Sequence, residues 1–434
     1  MANRAIESGH RFGQSVCETD IPAQGASYQL LRLVIQQEGD SFLVGSLSLS
    51  RFFQVPEIGV RVIRMLQAGL GVDAIKACLA EDGMAAEDDV DVDGFIDALI
   101  AHGLARCATA PKPDGMAPEA AQGWLRWAAP FARGLFSWPC AVAYLAIVSC
   151  AVVSIIAIPS ILPERRVFLF THNRTFSFLA LLAMCGPVVI LHELGHMLAA
   201  ARHGIASRLG FGTRLWTIVV EVDLTGLLSL PRSWRYVPLL AGLGADVFSV
   251  SVMFVTLAAL AHGHANSDLI HLIQALVMQT VLIMLWQTNV FLRTDLYFVL
   301  CTWLGFPDLD RDARRYLGAL WRNMPARAWA LTPGALRERM AMAAATCDGS
   351  RHLRTVQFFA LIWVAGRIVS IYILLTLLLP TMAGYVAESY RAIRHSTAQS
   401  IPYDSLCLSA LFLGLMTFGL ASWVYQNRPR PGHG

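Results

Sequence analysis

The chain is short of charge, nearly devoid of lysine and without any paired-cysteine motif. Charged residues make up 15% of its 434 residues and apolar ones 55%. Soluble domains lie nearer about 25% charged and about 45–50% apolar, so an ordinary soluble protein does not fit. The apolar excess falls after about residue 134, which predicts a membrane part behind a soluble N-terminal head. None of the nine cysteines forms a CxxC pair, and Cys140, Cys150, Cys185 and Cys407 lie in apolar segments. That argues against a disulfide framework or a cysteine metal site and for small buried side chains. The net charge of +3, carried almost wholly by arginine, is too small to attract nucleic acid. The first thirty residues hold no apolar stretch, so no signal peptide is expected and the head is expected to stay in the cytosol.

Residues 1–26 read as a disordered N-terminus and 27–107 as a small α+β domain. YQLLRLVIQQ (28–37) and SFLVGSLSL (41–49) read as two strands around the turn Glu38-Gly39-Asp40. Three helices are expected after them, at Glu57–Leu70, Val72–Ala80 and Asp91–His102. Their core sets are Ile58, Val62, Ile63, Leu66 and Leu70, then Ile75 and Leu79, then Phe95, Leu99 and Ile100. A hairpin with three helices is a winged-helix sort of domain. Its acidic run Glu87-Asp88-Asp89 is a poor surface for phosphate. A linker and juxtamembrane segment, 108–134, follows, rich in proline and glycine at first.

Six spans of roughly bilayer length are expected, at about 135–158, 177–200, 235–260, 268–288, 355–379 and 404–425. They divide into a core, 135–310, a connector, 311–354, and a pair of further spans with a short tail, 355–434. Arginine crowds 202–235 and 289–354 and is missing from 261–267. By the positive-inside rule both termini are then cytosolic, although Arg165, Arg166 and Arg174 sit in an external loop against it.

Within the second span stands HELGH, with His192 and His196 four residues apart and Glu193 beside them. That spacing places two imidazoles on one helical face, able to share one zinc ion, with a carboxylate next to the water the metal activates. The motif alone arises by chance in many chains. Inside a membrane span, however, ionisable groups are costly and functional by default. Hydrolytic zinc takes a third protein ligand. Asp295, in QTNVFLRTDLYFVLCTWLGF (287–306), is the candidate, and Thr294-Asp295 also reads as a helix cap. Asp246 reads as a rival ligand, a water-orienting group or an intramembrane partner of Arg367. TIVVEVDLTGLL (217–228) reads as β-structure turning around Asp223–Gly226. Val220, Val222, Asp223 and Thr225 there are candidates for pairing with an extended substrate, and a hairpin that merely plugs the interface fits equally.

These residues resemble the site-2 protease family of intramembrane zinc metalloproteases, over roughly 135–310. HELGH matches the family's HExxH. NVFLRTDLYF (289–298) is similar to the Asn-Pro-Phe-x-Arg-x-Asp-Gly-Tyr-Tyr form of a bacterial branch of peptide zinc metalloproteases. Asn289, Phe291, Arg293, Asp295 and Tyr297 match, while Val290, Leu296 and Phe298 replace the proline, glycine and second tyrosine. The resemblance implies one zinc per chain on His192, His196 and Asp295, Glu193 as catalytic base, and a peptide precursor or membrane protein as substrate. It also implies maturation of ribosomally made, modified peptides. The head resembles the small leader-peptide-binding domain of the pyrroloquinoline quinone pathway, which implies binding along the Phe42–Ser48 strand, with Phe42, Val44, Val62 and Leu66 as contacts. Three functions follow: an intramembrane endopeptidase, an export or immunity protein keeping that fold, and a leader-peptide receptor. Only the first uses Glu193.

Overall fold

The computed structural model describes residues 28–30, 33–38, 41–46, 51–81, 91–107, 119–164, 167–168, 173–214, 217–263, 266–322, 341, 350–395 and 403–426. The expected N-terminal disorder and most of the proline-rich linker lie outside them. Two units form, one of Met1–Trp124 with Leu224–Arg235, the other of Leu125–Asp223 with Tyr236–Gly434.

The first unit is a small mixed α/β body. Strands β2 (Val34–Glu38), β3 (Ser41–Ser46) and β4 (Arg51–Val55) make an antiparallel sheet in that order, and β1 (Tyr28–Leu30) pairs with β5 (Ala105–Cys107). Helices α1 (Glu57–Gln67), α2 (Val72–Glu81) and α3 (Val92–Ala101) fill the three expected places. Asp91 caps α3 by accepting the Gly94 N–H at 2.8 Å, satisfying one of the orphan donors of a helix start. Val60, Val62, Ile63, Leu66, Ile75, Leu79, Ile96 and Leu99 form one core with Val44.

This arrangement corrects the expected binding edge. β3 is the middle strand, hydrogen-bonded to β2 from Ser41 to Gly45 and to β4 from Phe42 to Ser46. It has no free backbone for an incoming strand. Val44, Val62 and Leu66 are buried in the core, which takes them out of the expected contact set, and half-buried Phe42 packs against that core. The cause is β4 (Arg51–Val55), a further strand beyond the expected pair.

The segment Thr225–Ser229 forms a short 3-10 helix and packs on β2, β3 and β4. Arg235 closes the contact from a nearly sealed position. Its Nε donates to the Leu230 carbonyl at 2.8 Å, a second nitrogen to the Leu228 carbonyl at 3.0 Å, and a third pairs with Glu38. The two side chains are 3% and 7% exposed, so removing one leaves a buried charge uncompensated. Glu38→Ala is expected to destabilise this unit by about 3 kcal/mol, measured as faster limited proteolysis of the head in the full chain. The apolar pair Glu38→Met with Arg235→Leu should recover most of that loss.

The second unit is helical. Helix α4 (Glu119–Leu135) contributes Leu125–Leu135 to it. α5 (Trp138–Ala157), α6 (Arg174–Ala201), α7 (Arg232–Ala261), α8 (Ser267–Trp286), α9 (Asp295–Leu304) and α10 (Leu309–Arg322) follow. α11 (Ser350–Ile373) continues through a π-helical turn, Leu374–Leu378, into α12 (Leu379–His395), and α13 (Tyr403–Gln426) ends the described chain. Among the described residues five helices are long and apolar enough to span a bilayer: α5, α6, α7, α8 and the stretch Leu353–Thr376. The chain is therefore a mostly α-helical polytopic membrane protein. The sixth expected span falls on α13, where the apolar stretch Leu406–Gly419 is shorter. α4 occupies ground expected to be linker. Its exposed Trp127 and Phe131 oppose buried Ala128 and Ala132, an amphipathic pattern hidden by the proline and glycine before it.

The β-structure after α6 is also reordered. β6 (Arg208–Arg214) pairs antiparallel with β7 (Thr217–Asp223), so the hairpin turns before Thr217 and not at Asp223–Gly226. Gly210 and Gly212 in β6 disguise it as loop in the sequence.

Candidate metal centre

α6 carries HELGH in its last three turns, where HELGHMLAAA runs to Ala201. Gly195 lets α7 come close: a Cβ there would stand 2.7 Å from the Ala241 carbonyl oxygen. α7 then lays Pro238, Gly242 and Asp246, successive positions of one helical face, beside the two histidines. Asp295 enters at the first residue of α9.

The imidazoles are oriented from behind. His192 Nδ1 donates to Asp246 Oδ2 at 2.8 Å, and His196 Nδ1 donates to the Pro238 carbonyl at 2.7 Å. A proton on each Nδ1 leaves the neutral ring with a lone pair on Nε2. Those lone pairs face one another at 3.2 Å, and Asp295 Oδ2 lies 2.9 Å from His192 Nε2 and 3.2 Å from His196 Nε2. With both rings neutral, three acceptor atoms converge on one point. Such a corner is repulsive unless a cation fills it. The separations suit zinc, whose tetrahedral bonds of about 2.0–2.1 Å put neighbouring ligand atoms about 3.3 Å apart. His192, His196 and Asp295 are the metal-competent cluster among the described residues.

Gly242 keeps the space open. A Cβ on it would meet His192 Nε2 at 2.5 Å and His196 Nε2 closer still, so the metal-facing side of both rings is roofed by bare backbone. Glu193 is buried beside His192 in the chain, 8% exposed and engaged within the fold. Gln287, at the C-terminal end of α8, accepts the Asp295 N–H on its side-chain oxygen at 3.2 Å, and its carbonyl accepts the Thr294 hydroxyl at 2.7 Å. These two contacts stitch the loop 287–295 shut. Asn289 turns away, donating to the Trp286 carbonyl at 2.9 Å.

The structure brings His192, His196 and Asp295 together and adds Asp246 behind His192. It does not bring Asp246 to Arg367. The Arg367 guanidinium stacks over the Trp363 ring at 4.9 Å, and its Nε has no hydrogen-bond partner. Asp246 instead accepts the His192 N–H. Val220, Val222 and Asp223 lie on β7, opposite Phe211, Leu209 and Arg208, while Thr225 begins the 3-10 helix of the first unit. Gly242, Pro238 and Gln287 escaped the sequence reading. The spacing Pro238–Gly242–Asp246, four and four, was the signal for one face of a helix.

A carboxylate behind a metal-bound histidine tunes and orients it, and losing one costs about 10–100-fold in metal affinity. Asp246→Ala is accordingly expected to weaken zinc binding by that factor in a chelator competition, with Asp246→Asn between it and the wild type. Equal affinities would reduce Asp246 to a buried polar group of no consequence for the metal.

The chain matches no protein-family model, no curated protein and no solved structure.

Proposed function

We propose that the protein is a zinc-dependent endopeptidase acting at or within the membrane, with a site-2 protease-like core and a winged-helix-like head. The observation that carries the reading is the convergence of three potential ligand atoms under Gly242, beside a glutamate one residue from the first of them. Zinc, when bound, supplies a Lewis acid for the scissile carbonyl and acidifies water. His192, His196 and Asp295 would hold it. The remaining work belongs to the chain. Glu193 takes a proton from the attacking water and delivers it to the amide nitrogen as the C–N bond breaks. Asp246 and the Pro238 carbonyl keep both imidazoles in the binding tautomer throughout. The substrate is a peptide precursor or a membrane-bound protein, of the kind processed during maturation of ribosomally made peptides. The hairpin β6–β7 offers an extended edge for it. The head recruits it, with β2 or β4 in place of the sealed β3 as docking edge, and both termini face the cytosol.

The test is metal content with matched cleavage in the full chain. Wild type purified in detergent without chelator should hold close to one zinc per chain, Asp295→Ala far less, and chelation should abolish peptide cleavage until zinc is restored. A wild type that neither retains nor takes up zinc removes the hydrolase and leaves the export or receptor reading.

A further inference from the structure

Asp295 opens α9 from a loop that chains do not adopt by default. Arg293, two residues earlier, lies at φ 56° and ψ 43°, and it is the non-glycine residue with positive φ among those described. A side chain in this left-handed region crowds its own backbone, so the surroundings must hold it there. Thr294 itself gives α9 no cap, because its hydroxyl is committed to the Gln287 carbonyl, and the Gln287 side chain accepts the Asp295 N–H alone. Left to itself, such a first turn frays.

What restrains it is a buried carboxylate. Asp310 is 4% exposed and accepts the Trp363 indole N–H from α11 at 2.9 Å, while Arg314 pairs with its other oxygen. Its own N–H donates to the Tyr297 oxygen at 2.8 Å, and Tyr297, fully buried, donates onward to Asp308 at 2.8 Å. The Arg293 guanidinium lies 3.4 Å from Asp308 and 3.8 Å from Asp310. On the far side Gly366 of α11 leaves room for the Phe291 ring, which a Cβ would strike. The loop, the first turn of α9, the start of α10 and the middle of α11 therefore converge on one group.

We propose that this Asp310-centred network is positioning machinery for the third metal ligand: it holds Arg293 left-handed and so fixes the Asp295 carboxylate against the two imidazoles. The inference rests on the metal-binding reading above. A metal site tolerates errors of about half an ångström in its ligands, a tolerance that a fraying helix start exceeds. None of these residues belongs to the His192, His196 and Asp295 cluster. They act through Asp295.

Tyr297→Phe deletes one hydroxyl and two hydrogen bonds while keeping the ring. Arg293→Ala removes the guanidinium but keeps the backbone penalty, whereas Arg293→Gly removes both. Zinc affinity by chelator competition and the visible spectrum of the cobalt-loaded protein are the readouts, with Leu257→Ala, buried elsewhere in the helical unit, as a control for mere destabilisation. Tyr297→Phe and Arg293→Ala should weaken zinc roughly 10–100-fold and shift the cobalt bands. Arg293→Gly should bind more tightly than Arg293→Ala, and Leu257→Ala should melt earlier with affinity and spectrum unchanged. If wild type binds zinc and Tyr297→Phe matches it in affinity and spectrum, the network is only scaffold and the proposal falls. If glycine and alanine at Arg293 are equal, the left-handed backbone plays no part. A wild type without zinc overturns the metal reading itself, a different result from either.

Discussion

Gly242→Ala is expected to yield a folded membrane protein that holds no zinc. The added methyl would stand 2.5 Å from His192 Nε2 and nearer to His196 Nε2, in the space where both lone pairs point. Neither ring can retreat, since each is tethered through Nδ1, to Asp246 and to the Pro238 carbonyl. The ion and the methyl therefore compete for one volume, and the methyl is covalently fixed. Helix propensity runs the other way: alanine is more favourable than glycine in a helix interior by about 0.8–1.0 kcal/mol. The overpacked methyl itself costs about 1–3 kcal/mol, so the signature is zinc lost from a protein that still folds, which a packing defect of the same size away from the two imidazoles would not produce. Gly244→Ala, two residues on and with open space around its Cβ, serves as control and should keep full zinc occupancy. Zinc per chain by elemental analysis decides it. Occupancy above half in Gly242→Ala would mean that the metal lies elsewhere.

The role of Gly242 is not legible in the sequence. LLAGLGADVFSV holds two glycines, and nothing in their spacing says which one faces a histidine. Small residues are common in membrane helices for packing alone. The distinction needs the rotation of α7 against α6, which depends on Gly195 and Ala241 coming together. Asp246 shows the same limit. Its cost in a span marked it as functional, but ligand, orienter and partner of Arg367 were all compatible with the chain. Only the hydrogen bond to His192 separates them. By contrast His192, His196 and Asp295 were readable. The first two follow from the period of the helix, and the third was one of two carboxylates in apolar runs, preferred over Asp246 largely through the resemblance of NVFLRTDLYF to the family motif.

The head was legible in its helices and not in its sheet. The core positions of α1, α2 and α3 follow from amphipathic spacing, because a helix carries its period within itself. Strand order is a non-local property. β4 lies beyond the expected pair of strands, and β1 finds its partner at Ala105–Cys107, at the far end of the domain. A binding edge inferred from one strand's sequence therefore landed on the strand with no edge. Arg235 belongs to the same class. It counted in the sequence toward a positive cytosolic loop, yet its guanidinium is sealed against Glu38 and two carbonyls.

Glu193→Gln should separate binding from turnover. Glutamine has nearly the same volume and keeps a side-chain oxygen, so the helix, the two imidazoles and Asp295 stay as they are and zinc content should match the wild type. What disappears is the group that carries the proton. Peptide hydrolysis requires one to leave the water and one to reach the departing amide nitrogen, and a neutral amide does neither. Positioned acid–base groups contribute roughly 10²–10⁴-fold, so single-turnover cleavage should fall by that factor while substrate affinity is kept. A structural glutamate predicts the reverse, with zinc and stability lost together and the residual metal-loaded fraction turning over normally. Cleavage within tenfold of wild type, at equal zinc, would transfer the proton to another group and leave the intramembrane HExxH as a metal-binding motif without its hydrolytic base.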